Sequence, residues 1–206
     1  IALQLTKNGS GTWALSAPNN YSRGTLISAG TLLATNSFGS ATGTGNVITS
    51  GTGTLGGTGF ITGGAGSEIT IANGTNLMIG NTHLTAAGAI GNAGYFGEQS
   101  TLTLGTNANV AITLAGRLQF DIFTNEGTTL GQADLLRLNT TASSLTLGGI
   151  ISLGDSSGQA STWRSGTWQL IDWAGVGSAT KNGNFTFELS GGASLPSGYG
   201  LSLIHI

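Results

Sequence analysis

The sequence predicts an all-β protein built as a parallel β-solenoid. Apolar or β-branched runs of about three to six residues recur along the chain, each followed by a Gly, Asn or Ser turn. These units repeat at roughly 20 residues or a little more, which is typical of coils that stack on one another. No segment of about eleven or more residues carries the apolar stripe of an amphipathic helix. We therefore expect almost no α-helix, a predominantly parallel ladder, and about eight or nine coils with a height of about 40 Å.

The strands can be placed in chain order from alternation of apolar and polar residues, which gives each strand one inward face. After the first repeat-like segment, the predicted strands are 46–49, 68–72, 76–79, 100–104, 109–114, 117–123, 135–138, 144–147, 149–153, 167–173 and 184–189. The alternation and the repeat register predict that the following side chains are mostly buried: Leu15, Ile27, Leu32, Val47, Leu55, Ile69, Ile71, Leu102, Leu104, Ile112, Leu114, Phe120 and Ile122.

An antiparallel sandwich or barrel shares much of this signature. Asn8-Gly9, Asn73-Gly74 and Asn182-Gly183 are each compatible with a two-residue hairpin turn, which would favour antiparallel pairing. In a solenoid the same glycines would turn corners where the backbone needs a positive φ. The turn residues alone leave both architectures open.

The composition excludes several functional classes. Of 206 residues only 6 are Lys or Arg and 8 are Asp or Glu, so 7% are charged, against about 25% in an average soluble domain. The formal net charge of −2 and the scattered cations argue against nucleic-acid binding, which needs clustered Lys and Arg. The chain has no cysteine, which removes disulfides, thiol catalysis and thiolate metal sites. No apolar run reaches the ~18 residues of a transmembrane helix.

A motif of lysine, glycine and apolar residues opens the chain. Its members are Leu5, Lys7, Gly9, Gly11, Trp13, Leu15, Asn19, Tyr21, Gly24, Thr25, Ile27, Gly30 and Leu32. This motif resembles the passenger-associated repeat of bacterial autotransporters, whose units are strands of a right-handed parallel β-helix. Trp13 departs from the smaller aliphatic residue usual in the family, and Arg23 from the usual glycine. The resemblance covers residues 5–61 and is loose thereafter.

The resemblance implies a domain organisation and a function. Residues 1–200 would be a passenger segment, repeat-like at 5–61 and built of less regular coils at 62–200. Such a segment is a structural stalk, extracellular or on the bacterial cell surface, with adhesion to a surface glycan or protein as a further option. Its partner in the full-length chain would be an outer-membrane β-barrel translocator. Residues 201–206, LSLIHI, resemble a translated sequencing adapter, and we expect that they are not native.

Carboxylates offer one alternative function, a carbohydrate-active β-helix of the lyase or hydrolase class. Such enzymes need neighbouring carboxylates and a nearby cation, and the best candidates are Asp121, Glu126 and Asp134 with Arg117 or Arg137. The simpler interpretation is that these are solvated turn residues and a strand-end charge. A catalytic site needs several charged side chains that point to one place, and a chain with 7% charged residues has few ways to assemble one. The sequence therefore predicts no catalytic residue and no enzyme.

Other common site types are not predicted either. The glycine-rich stretches 56–59 and 63–66 lack the Lys-Ser/Thr of a P-loop and the Asp of calcium-binding repeats, so we interpret them as corners. His83 has no recognisable catalytic partner. The sequence therefore predicts no metal site and no cofactor.

The tryptophans and the threonines are two further candidates for a binding face. Trp163, Trp168 and Trp173 recur every five residues, and because this step is odd, Trp168 is expected to point inward while Trp163 and Trp173 remain candidates for carbohydrate contact. A threonine array, as in an ice-binding solenoid, is the last alternative. It is suggested by Thr42 and Thr44, Thr52 and Thr54, and Thr101 and Thr103, although their spacing is uneven.

Overall fold

The chain folds as a stack of short parallel strands arranged in three sheets. The computed structural model describes residues 1–81, 99–105, 109–123, 132–141, 144–155, 168–173, 176, 180–182 and 185–189. Across these residues the backbone forms strands and turns but no helix, and hence none long and apolar enough for a lipid bilayer. The suspected adapter, residues 201–206, lies outside the described residues.

The strands match the sequence expectation closely. In chain order they are β1 (Leu5–Lys7), β2 (Thr12–Leu15), β3 (Thr25–Ile27), β4 (Thr31–Ala34), β5 (Val47–Thr49), β6 (Thr54–Gly57), β7 (Phe60–Ile61), β8 (Glu68–Ile71), β9 (Asn76–Ile79), β10 (Thr101–Leu104), β11 (Ala111–Leu114), β12 (Arg117–Phe123), β13 (Gln132–Ala133), β14 (Leu135–Leu138), β15 (Ser144–Leu147), β16 (Gly149–Asp155), β17 (Ile171–Asp172), β18 (Thr180–Asn182) and β19 (Phe185–Leu189). The predicted strand 167–173 is the main exception: of its residues 168–173, which the structure describes, only Ile171–Asp172 form a strand.

The order of the strands shows how the coils stack. Sheet A runs β1-β3-β5-β8-β11-β15-β18, sheet B runs β2-β4-β6-β9-β12-β16-β19, and sheet C contains β7, β10, β14 and β17. The chain passes from sheet A to sheet B, and from β7 onward also through sheet C, before it returns to sheet A one level further along. All neighbours on these paths are parallel, as a β-solenoid requires.

The antiparallel alternative is therefore wrong for the described residues. Asn8-Gly9 separates β1 from β2, and Asn73-Gly74 separates β8 from β9, yet each pair of strands lies in two different sheets. Gly9 and Gly74 have φ values of 87° and 82° and turn corners instead. Gly183 lies outside the described residues. Between strands of the described chain, antiparallel pairing is confined to β12 and β13.

The coils lengthen along the chain. In sheet A, Thr25 follows its partner Leu5 by 20 residues and Val47 follows Thr25 by 22. Ile112, by contrast, follows its partner Ile69 by 43 residues, and Leu145 follows Ile112 by 33. The described chain thus builds seven levels of sheet A rather than eight or nine, with a height of about 29 Å at ~4.8 Å per level. The expected coil number was too high because the later coils use more residues.

The core consists of apolar columns that run through successive levels. In sheet B, Leu32, Leu55, Leu77 and Leu118 stand in register and are fully buried. Burying each such side chain contributes roughly 1.5–3 kcal/mol. The predicted core is confirmed, with one deviation: Leu15 is only half-buried because β2 has a neighbour, β4, on one side only.

Candidate functional site

Two of the acidic candidates lie together in the interior. Asp121, in β12, is 5% exposed, and Asp134, between β13 and β14, is 2% exposed. The Asp134 N–H donates to the Asp121 carbonyl (2.9 Å), and the Asp121 N–H donates to Asp134 Oδ2 (2.9 Å). The interpretation of these residues as solvated turn residues is wrong, because β13 turns back beside β12 and places Asp134 against the sheet.

The environment of Asp134 changes its protonation. Burial raises the pKa of Asp134 to about 7, although hydrogen bonds from Asp121 and Ser100 oppose this effect, and the negative charge of Asp121 raises it further. A carboxyl group with a pKa near neutrality is suited to general acid–base chemistry in principle. Here its oxygens are occupied by backbone N–H groups, and the group is nearly inaccessible to a substrate. The arrangement favours a structural role.

The arginines expected beside these carboxylates pair elsewhere. Arg117 Nε lies 3.0 Å from Glu188 Oε1, and Arg137 Nε lies 3.1 Å from Asp172 Oδ2. Both pairs are partly exposed and join strands of different levels, so each contributes at most about 1 kcal/mol. Each arginine thus pairs with a carboxylate other than Asp121 and Asp134. Glu126 and His83 lie outside the described residues.

No metal centre is formed by the side chains that the structure describes: among them, no group of three or more His, Cys, Asp and Glu residues could hold an ion. The interpretation of the glycine-rich stretches as corners is correct only in part. Gly63 and Gly66, with φ values of 63° and 81°, lie in the turn before β8. Gly56 and Gly57 instead belong to β6, where Gly56 leaves room for the side chain of Met78 on the next level.

A buried cation joins the first two coils. Lys7 is 1% exposed, and its Nζ donates to the carbonyls of Gly9 (2.6 Å) and Ala29 (3.0 Å). The ammonium group also lies 5.6 Å from the centroid of the Trp13 ring, within range of a cation–π interaction. A buried ammonium group is costly unless such partners surround it. Because Ala29 lies one level above β1, Lys7 links one coil to the next.

Glycine is required where this contact is made. Gly30 has a φ of 67°, a conformation that L-residues rarely adopt. A Cβ atom at Gly30 would collide with the carbonyl oxygens of Gly9 and Gly11 and with Lys7 Nζ. The motif of one lysine and three glycines thus describes a single packed contact between two levels.

This contact lies within a recognisable repeat. Residues 5–34 match the family model of the passenger-associated-transport-repeat. The resemblance expected from the sequence is confirmed over this range, and the repeat family is associated with autotransporter passenger domains. No curated protein and no solved structure matches the chain.

The passenger-associated-transport-repeat spans more than one coil. Its range contains β1 to β4, and therefore includes both the β1–β3 and the β2–β4 pairing. Asn19, a further motif residue, extends the contacts upward, because its Nδ2 donates to the Ala41 carbonyl one level above (2.8 Å). The repeat thus carries its own stacking contacts. Residues 35–61, which the sequence also predicted to be repeat-like, lie outside the match.

The tryptophans and threonines are distributed over several parts of the solenoid. Trp168 and Trp173 are half-buried and pack against the core, and the buried Trp168 Nε1 has no hydrogen-bond partner among the described residues. Trp163 lies outside the described residues, so carbohydrate contact by Trp163 and Trp173 stays a prediction. The threonines proposed as an array do not share one face: Thr54 lies in sheet B, whereas Thr103 lies in sheet C and is buried.

Proposed function

We propose that this chain is a structural segment of an autotransporter-type passenger, a rod of stacked coils that displays other regions at the bacterial cell surface or outside the cell. The observation that supports this most directly is the repeat match at residues 5–34, which coincides with two stacked levels of the solenoid. Among the described residues, strands on the stacking paths pair only with strands of adjacent levels, so the rod can form level by level. A chain with 7% charged residues also avoids the repulsion that rows of like charges would create along a stack.

In this proposal the partner is an outer-membrane β-barrel translocator. The chain can be tested by fusing it between a signal peptide and such a barrel in a Gram-negative host. We expect it to reach the surface and to resist added protease, since the stacked strands leave few accessible backbone segments.

The matched control is Leu55→Asp, which places a charge in a fully buried column. We expect this variant to be cleaved rapidly once it is exposed, because an unpaired buried charge prevents stacking. If the unmodified chain stays inside the cell, or is cleaved as rapidly as Leu55→Asp, the proposal is wrong.

We also propose that the chain has no enzymatic activity of its own. The support is that Asp121 and Asp134 are nearly inaccessible to a substrate, and that Arg117 and Arg137 pair with Glu188 and Asp172. The test is an assay of the purified chain against acidic and neutral polysaccharides. Turnover that is lost in Asp121→Asn or Asp134→Asn variants with unchanged folding would favour the lyase or hydrolase alternative instead.

An adhesive role is a second candidate, favoured by an exposed aromatic side chain on a fixed turn. Phe38 is 66% exposed, and Asn36 Nδ2 donates to its carbonyl (2.9 Å) and to that of Gly39 (3.1 Å). An aromatic ring held in this way could stack on a sugar ring or an apolar partner surface.

Glycan-array binding by the chain tests this role. We expect binding to weaken in Phe38→Ala, Trp163→Ala or Trp173→Ala. It should persist in Leu3→Ala, which removes a different exposed apolar side chain. Absence of binding, or equal loss in all four variants, would count against adhesion through these rings.

A further inference from the structure

We propose that Asp134 is a proton-dependent latch, which holds the corner between sheets B and C closed when it is protonated and loosens it when it is ionised. The inference is independent of the passenger proposal. It rests on how Asp134 fills a gap in the ladder, on its burial, and on the charges that surround it.

Along one edge of β12, a short stretch has no neighbouring strand among the described residues. On that edge, β9 pairs with Arg117 to Gln119, and β13 pairs with Ile122 and Phe123. Between these two partners, both backbone groups of Asp121 bond to Asp134: its N–H donates to Oδ2, and its carbonyl accepts the Asp134 N–H, each at 2.9 Å. Asp134 therefore replaces a strand neighbour at a place where unsatisfied backbone groups would otherwise be buried.

The same carboxyl group reaches a second level. Its Oδ1 accepts a hydrogen bond from the N–H of Ser100 (3.0 Å), immediately before β10, and the Ser100 carbonyl accepts one from the N–H of Leu135 (2.8 Å). Asp134 thus connects β12 in sheet B with the starts of β10 and β14 in sheet C. When the carboxyl group moves, β12 and the residue before β10 each lose a hydrogen bond.

The surroundings make ionisation of this group unfavourable. Burial is the largest effect; the N–H groups of Asp121 and Ser100 that bond to the carboxyl group partly offset it, and the negative charge of Asp121 on β12 adds to it. The cations on β12 and β14, Arg117 and Arg137, pair with Glu188 and Asp172. On β16, the residue opposite Asp121 is Gly154, which carries no charge. Ser100 contributes only neutral donors.

The direction of the pH dependence follows from the raised pKa of Asp134, about 7 instead of 3.8. The closed corner is fully favoured below pH 4, where the carboxyl group is protonated in both the closed and the open state. Closure weakens by up to about tenfold per pH unit as the pH rises towards 7, and then stays constant.

Amide exchange measured by NMR on the whole chain tests the latch. Protection factors remove the intrinsic pH dependence of exchange. From pH 5 to pH 7 we expect those of Ser100 and Asp121 to fall by about 50-fold. The control is the amide of Ala115, which bonds to the Ile71 carbonyl away from this corner and should not change. A constant protection at Ser100 and Asp121, or an equal fall at Ala115, would overturn the proposal.

Two variants separate proton binding from simple loss of a contact. Asp134→Asn is the neutral isostere of the protonated carboxyl group and cannot ionise, so we expect the protection of Ser100 and Asp121 to be constant between pH 5 and pH 7. A persistent pH dependence in this variant would overturn the proposal. In Asp121→Asn the midpoint should move to lower pH, because a negative charge is removed, and an unchanged midpoint would contradict the arrangement. If Asp134→Asn does not fold, the carboxyl-carbon titration of Asp134 decides: a midpoint near 7 supports the latch, and one near 4 refutes it.

Discussion

Replacing Gly30 by alanine tests whether the lysine–glycine contact holds the first two coils together. The substitution adds a Cβ atom where the carbonyls of Gly9 and Gly11 and the ammonium of Lys7 already meet. Gly74→Ala is a matched control: Gly74 also has a positive φ, 82° against 67° at Gly30, but its added Cβ would meet nothing within 4 Å. The two variants share the backbone strain and differ in crowding.

The expected magnitudes follow from these two contributions. A non-glycine residue in the left-handed region costs roughly 1–2 kcal/mol, so Gly74→Ala should lower the free energy of unfolding by about that amount. Gly30→Ala carries the same strain and, in addition, overpacking of about 1–3 kcal/mol. If Lys7 is displaced, a buried cation loses hydrogen bonds, which adds about 1–3 kcal/mol. With both contributions, we expect Gly30→Ala to cost about 2–6 kcal/mol more than Gly74→Ala.

The assay has to detect local as well as global loss. Because each coil contacts only its neighbours, Gly30→Ala can open the first level while the later levels stay folded. We therefore combine urea unfolding, followed by circular dichroism, with amide exchange at Thr31, whose N–H bonds to the Gly11 carbonyl. Equal destabilisation by the two variants, with Thr31 unaffected, would show that the packing around Gly30 does not stabilise the stack.

Three further predictions concern named side chains. Lys7→Met should lower the free energy of unfolding by about 1–3 kcal/mol in urea melts, because the carbonyls that Lys7 satisfies lose their donor. The control Arg23→Met, at an exposed position, should change this free energy by less than about 0.5 kcal/mol. Equal effects of the two substitutions would contradict a linking role for Lys7. Leu55→Ala should cost about 2–5 kcal/mol, since it opens a cavity in a fully buried column; calorimetry that finds less than about 1 kcal/mol would place Leu55 outside the core. Removing the Arg137–Asp172 pair should cost at most about 1 kcal/mol and be weaker at high salt; a larger effect in a double-mutant cycle would show that the pair is shielded from solvent.

The sequence predicted local features of the fold much better than contacts across levels. The bounds of β12 and of the inward residues Leu118 and Phe120 follow from alternation, which depends only on neighbours along the chain. The contact of Asp121 with Asp134 depends instead on the antiparallel pairing of β13 with β12, which alternation along a single strand does not predict.

The ion pairs could not be predicted from the sequence either. Arg117 and Glu188 are 71 positions apart and meet because β12, β16 and β19 stack in order. Their separation in sequence depends on how many residues the intervening coils use, and those coils do not keep a constant length. A fixed period of about 20 residues, extended from the first coils, assigns wrong neighbours to every later level.

The family match ends at residue 34, whereas the stack of strands continues. In one inward column of sheet A, the levels carry Lys7, then Ile27, then Thr49. Both polar side chains in this column are buried and hydrogen-bonded, Lys7 to backbone carbonyls and Thr49 to Thr75. Further along sheet A, Leu114 pairs in register with Ile71 and Leu147, and no polar contact is needed.

The matched range contains the buried Lys7 contact and the glycines that make room for it, whereas the polar contact of Thr49 lies beyond that range. The parallel pairing persists from β8 through β11 and β15, where the column is apolar. Sheet C, which begins with β7, gives the later coils a third side. The extent of the solenoid is therefore set by the register of its columns and not by the range of the repeat motif.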